Sequence, residues 1–211
     1  MNPKQILSLG ASLSAVMLLS GCFGSSSSSS TDTPPPPPPP PANALYEVDE
    51  STFASRPAEA QTLFTEFQSL NDTDNRTTAE LAGTASYTGR VSVDVDDAWL
   101  MSDIGLNANF DTSRVGGTLS GFYAYGDEGD GPIDGTLSFN DAEITANQFS
   151  DAALGGTLTS DGEDFVVTAT IGGTFVGDDG GQVIGVIGGS VLDVSYNETI
   201  LISGQYVADR D

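Results

Sequence analysis

Histidine is absent from all 211 residues, and lysine and cysteine occur once each, as Lys4 and Cys22. Without imidazole, a second thiol or a later lysine, the chain cannot build Ser-His, Cys-His or Ser-Lys nucleophile pairs. Schiff-base chemistry and zinc sites of nitrogen or thiolate ligands are excluded with them. An internal disulfide is impossible. Basic residues are scarce in general, 6 Lys and Arg against 30 Asp and Glu. Every acidic residue follows Cys22, so the side-chain balance from there on is 5 minus 30, or −25. Such a chain repels nucleic acid and anionic head groups, and nucleic acid is set aside as a partner. High charge of one sign also keeps a protein soluble, and most of the acidic excess needs no further explanation.

Residues 1–21 read as a secretory signal. Lys4 supplies a short positive start, and the apolar run 6–19 is too short to span a bilayer. It ends in Leu19-Ser20-Gly21-Cys22, which resembles the lipobox of bacterial lipoproteins. The resemblance implies cleavage before Cys22, lipidation of its thiol and attachment to a membrane through that residue. Phe23, where an inner-membrane retention signal would have Asp, implies the outer membrane. Residues 24–33 are a serine-rich coil, and eight prolines at 34–41 form a polyproline II spacer of roughly 25 Å. Together 22–41 make a stalk.

The lead-in 42–80 contains the only helical pattern. Ala60, Leu63, Phe64, Phe67 and Leu70 fall at helical spacing after Pro57, which predicts one amphipathic helix over 57–70. Its apolar stripe is expected to pack against the following domain, for instance across one open end of a barrel.

From residue 81 on, the period changes from 3.6 to two. Phe165, Val167, Ala169 and Ile171 alternate with Val166, Thr168 and Thr170, and similar alternation covers 83–96, 104–111, 115–124, 135–149, 152–160, 183–194 and 199–207. A bend near Asn140-Asp141 is expected inside the 135–149 run. Turn sequences such as Asp161-Gly162 and Asp178-Asp179-Gly180-Gly181 separate the strands, and no helix-length pattern interrupts them. The connections are therefore hairpins. Eight such strands predict an all-β fold, an eight-stranded antiparallel up-and-down β-barrel preceded by one short helix, because closure removes exposed edges. The alternative is a β-sandwich. A membrane-spanning barrel is disfavoured, since the wetter parity carries Ser, Thr, Asn and Asp where a lipid-facing band would be.

Several pieces carry a family resemblance: Gly83-Thr84-Ala85-Ser86-Tyr87-Thr88-Gly89, Val115-Gly116-Gly117-Thr118-Leu119-Ser120-Gly121, the Ile144 to Phe149 spacing, and Gly173-Thr174-Phe175-Val176-Gly177. Taken in order, they resemble the β-barrel domain of transferrin-binding protein B and related bacterial surface lipoproteins. The resemblance implies a lipid-anchored binding barrel for a protein partner or a small nutrient, iron- or haem-related or another solute. It departs at Asp178 and Gln182, and one barrel cannot supply that receptor's second lobe.

No enzyme is expected. Asp94, Asp96 and Asp97 form a near pair of the sort glycoside hydrolysis needs, but among 30 acidic groups such pairs arise by chance. No cofactor is expected either; without histidine, haem would need a tyrosine such as Tyr87, Tyr123, Tyr125 or Tyr206. The candidate partner-binding residues are Tyr123 and Tyr125, the loop residues Asp127, Glu128 and Asp130 beyond them, and Trp99, which could equally plug a barrel end. Asp127, Asp130, Asp178 and Asp179 are weak calcium candidates, since their spacing does not follow the twelve-residue calcium loop. The expected protein is a monomer held at the outer membrane and displayed on the cell surface, with the periplasmic face as the alternative.

Overall fold

Alternation of β-branched and small polar residues gives eight strands that close on themselves. The computed structural model describes residues 43–47, 55–96, 98–126 and 129–211; Cys22, the signal and the stalk lie outside the described residues. The strands are β1 Thr84–Val95, β2 Ala98–Asn109, β3 Arg114–Gly126, β4 Gly131–Glu143, β5 Gln148–Ser160, β6 Glu163–Val176, β7 Gln182–Asp193 and β8 Glu198–Arg210. Each pairs antiparallel with its neighbour in sequence, and β1 pairs with β8 to close the ring. This is the up-and-down barrel, and the sandwich is overturned.

Two stretches differ in kind from the periodicity. The second strand begins at Ala98, before Ile104, so Trp99, Leu100 and Met101 lie within a strand. It follows β1 through a tight turn in which Asp96 takes φ +54°, a conformation short polar side chains tolerate. The 135–149 run is two strands: residues 144–147 turn the chain, with Ala146 and Asn147 at φ +50° and +59°. Alternation alone could not show this break, because Ile144 and Phe149 remain apolar and buried on either side of it.

The barrel is filled by its own side chains, as its small strand number dictates. Phe139 and Phe149 stack at 5.7 Å between centroids, Phe110 meets Phe175 edge-on at 5.0 Å, and Tyr87 lies 5.6 Å from Phe175. Each fully buried aromatic contributes roughly 1.5–3 kcal/mol of transfer free energy. Glycine makes room where the largest ring crosses the interior. Gly173 and Gly185 are cross-strand partners on β6 and β7, and a Cβ at Gly185 would sit 2.5 Å from the Tyr206 ring. The Tyr206 hydroxyl donates to the Gly172 carbonyl at 3.2 Å.

The helix α1, Ala58–Leu70, forms one residue inside its expected span but does not cover a barrel end. Ala60, Leu63 and Phe67 pack against Met101, Val176, Ile184 and Val207. Those four have the parity opposite to the interior residues of their strands, so α1 lies along the outer wall. The barrel end that bears the β6–β7 turn is crossed instead by residues 75–83. Gly177 N–H donates to Asn75 O, Thr77 N–H to Phe175 O, and Phe110 N–H to Gly83 O. The Asn147 side chain donates to the Thr77 and Ala79 carbonyls, and Leu81 packs on the interior cluster. A helix has no free edge to pair with strand ends, whereas extended chain can satisfy the turn groups at that rim.

Candidate functional site

Strict alternation along β3 would turn Tyr123 and Tyr125 inward, since they share the parity of Val115, Gly117 and Leu119. A bulge prevents this. Between Ser120 and Tyr123 the register with β2 shifts, Gly121 and Phe122 facing the single residue Ser102, and Gly121 adopts φ +65°. One extra residue flips the alternation, as β-bulges do. Phe122 then enters the core, only 3% exposed, and Tyr123 stands out at 37%.

On the outer wall Tyr123 and Tyr125 contact each other with ring centroids 5.0 Å apart, tilted at 53°. Tyr125 is directly opposite Trp99 on β2, and Tyr123 is opposite Met101. The three aromatic candidates are thus brought together. Trp99, however, is neither a rim contact nor a plug in the barrel. It is 9% exposed on the outer wall beneath Arg56, whose guanidinium lies 4.7 Å above its ring and 4.2 Å above Phe64. The start of α1 covers it. Of the three, Tyr123 is the one that meets solvent most fully.

The flanking charges come from the helix and from β1 and β2. Arg90 bridges Glu59 at 3.2 Å and Asp103 at 2.7 Å. These exposed pairs add little stability. Partial desolvation, followed by the negative field of Glu59, Tyr123 and Asp130, holds the Tyr125 hydroxyl above its ordinary pKa, with Arg90 opposing. Tyr125 therefore remains a neutral hydrogen-bonding group with an apolar ring, the side-chain character enriched at protein contacts.

Asp127 and Glu128 lie outside the described residues. Asp130 accepts the Gly126 N–H at 3.3 Å, closing its own turn. Asp178 and Asp179 sit in the β6–β7 turn, at the opposite end of the barrel from the β3–β4 turn. The four weak calcium candidates therefore cannot form one site. Among the described residues no three acidic side chains cluster. Tyr87 and Tyr206 are not open to a haem iron: both are buried, and their hydroxyls donate to Gly180 O and Gly172 O.

Arg56 and Arg90, which frame the cluster together with Phe64 of the helical stripe, carried no sequence motif. The nearest signal was Arg56 immediately before the helix-starting Pro57.

The cluster also has a direction. The described chain enters at Asn43, whose carbonyl accepts from Thr73 N–H just beyond the C-terminal end of α1. Tyr46 joins Asn71 there and reaches Thr174 on β6, Oη to Oγ1, at 2.8 Å. That is the end bearing the β6–β7 turn, while Tyr125 lies beside the β3–β4 turn at the other end.

No protein-family model matches the chain. No curated protein matches it either. Among solved structures it is similar to transferrin-binding protein B from Haemophilus parasuis, with 15% identity and a TM-score of 0.43. It is also similar to the isotype 1 protein from serogroup B Neisseria meningitidis, with 17% identity and a TM-score of 0.43. Each comparison covers 64% of this chain and 28% of the other, so the chain spans little more than a quarter of those proteins' length. At this identity and score the likeness assigns no ligand to this chain.

Proposed function

We propose that this protein is a lipid-anchored binding barrel of the outer membrane, held through Cys22 and presenting the Tyr123–Tyr125 end of its outer wall to a protein partner. The observation that carries this reading is the polarity of the domain. Residues 43–47, which follow the expected stalk in sequence, lie at one end of the barrel, and the tyrosine pair with its exposed Tyr123 stands at the other. A small nutrient fits less well, because aromatic side chains occupy the barrel interior. No catalytic role is proposed, since the cluster brings together aromatic rings and exposed ion pairs without a nucleophile and base in contact.

The test uses the full-length protein on intact Gram-negative cells. Labelled fatty acid incorporation and its loss in Cys22→Ser report the anchor. Cross-linking of wild type and of the Tyr123→Ala/Tyr125→Ala double variant, at equal surface amounts, reports the partner. One protein captured by wild type and lost by the double variant supports the reading. Capture indifferent to the tyrosines, or none, overturns it in favour of an acidic envelope lipoprotein with a structural role.

A further inference from the structure

A second surface lies on the wall opposite the tyrosine pair, four strands away around the ring. Val166 on β6 and Leu192 on β7 are directly paired, and both have the outward parity, since Val167 and Val191 fill the core. Leu201 on β8, opposite Ser190, is 80% exposed. The β7–β8 turn extends this strip with Val194 and Tyr196, 54% and 53% exposed. Isolated exposed apolar residues need no explanation, but a cross-strand pair continuous with an exposed leucine, valine and tyrosine marks a contact surface.

The turn is held in place from beneath. Asp193 is fully buried, and its Oδ1 accepts the backbone N–H groups of Ser195 at 2.8 Å and Tyr196 at 3.1 Å. Val194 N–H donates to Asp164 O on β6. The apolar tips are therefore presented on an ordered turn, which lowers the entropy lost on binding.

Charge selects the occupant. Between Arg114 and Arg210 the sequence has no lysine or arginine. The strip is consequently rimmed by Asp161, Glu163, Asp164 and Glu198, and the one cation on these strands, Arg210, stands at the far end of β8 from them. A second copy would bring the same acidic rim against this one. An anionic membrane would be repelled as well. We infer that this β6–β8 face takes a protein whose contact surface presents apolar side chains inside a rim of lysine and arginine. Long-range attraction would steer it, and the apolar strip would hold it.

The experiment titrates the full-length protein in detergent with a short alternating Lys-Leu peptide and with a Lys-Ser peptide of equal charge, followed by NMR shifts and by affinity. The expected result is shifts confined to Val166, Leu192, Val194, Tyr196 and Leu201, tighter binding of the Lys-Leu peptide, and a loss of about tenfold for Leu201→Ser, the effect of removing one apolar anchor. Leu201 is exposed, so that variant keeps the fold, and the double tyrosine variant should bind the peptide like wild type. Equal binding of the two peptides, shifts spread over the acidic surface, or indifference to Leu201→Ser would reduce the attraction to unspecific charge and overturn the inference. Sedimentation showing a dimer that Leu201→Ser dissolves would overturn it in favour of a second copy.

Discussion

The guanidinium of Arg56 lies 4.7 Å above the ring of Trp99 and seals the start of α1 onto the outer wall of β2. Trp99 is the only tryptophan in the chain, so the emission reports the surroundings of this one ring. Arg56→Ala should shift the emission to the red and lower stability by roughly 1–2 kcal/mol, the scale of a partly desolvated cation–π contact. Arg56→Lys should lie between. Unchanged emission in Arg56→Ala would mean that the helix is held down without this contact.

Gly121 sets which way the tyrosines face. At φ +65° a β-branched residue is strained by roughly 1–2 kcal/mol, whereas asparagine tolerates the conformation better. Gly121→Val should therefore unfold at lower denaturant than Gly121→Asn. Equal midpoints for the two would remove the bulge as the reason for the tyrosine orientation.

Gly173 and Gly185 both make room for Tyr206, in different ways. A Cβ on Gly173 would meet the Tyr206 hydroxyl and lie 2.7 Å from the Phe149 ring; one on Gly185 would meet the Tyr206 ring and the Gly172 carbonyl. Either alanine variant should cost roughly 1–3 kcal/mol through overpacking. Tyr206→Phe removes only the hydroxyl, so it should recover part of the Gly173→Ala loss and none of the Gly185→Ala loss. Equal recovery in the two double-mutant cycles would contradict the placement of the ring.

Burial holds the Tyr206 hydroxyl well above its ordinary pKa of 10.0, with Tyr46 adding to the shift. Below about pH 10 the phenol is protonated in the folded and unfolded chain alike, and its contribution to stability is whole. Above that, the unfolded chain releases the proton while the folded one retains it, so stability falls as pH rises. Chemical denaturation between pH 8 and 11 should show this decline, with a shallower slope in Tyr206→Phe. Matching slopes would place the alkaline sensitivity elsewhere, for example in Tyr46 and Tyr87, whose pKa values burial also raises.

The seam between β4 and β5 should open first. These strands pair only where 134–138 faces 155–159. Beyond that, Asp141 and Asp151 take φ +59° and +53°, and each strand keeps its other neighbour while losing this one. In hydrogen exchange, amides of 140–143 and 150–153 should on average exchange before those of the paired stretch. Uniform protection along both strands would show that the seam is closed in solution.

What the sequence determined was local. A period of two, turn residues at regular intervals and the lack of any helix-length pattern after residue 81 require eight hairpin-linked strands, and the missing histidine and the lack of any lysine after Lys4 exclude whole classes of chemistry. The helix was legible too, because Leu63, Phe64 and Phe67 recur at 3.6-residue spacing whatever they pack against. Its destination was not. An amphipathic stripe specifies that a surface is buried but not which one, and the outward parity of Met101, Val176, Ile184 and Val207 became an apolar groove only once β2, β6, β7 and β8 were brought together. The tyrosine pair was visible as residues but not as a site. A glycine in a strand can mark a bulge or a close approach, and the register with β2 decides between them at Gly121. The place of Trp99, rim contact or plug, was not legible in the sequence for the same reason: its cover, Arg56, lies 43 positions earlier and reaches it only through the packing of α1. Periodicity is set by neighbours along the chain, whereas burial, orientation and the meeting of distant side chains are set by closure of the ring.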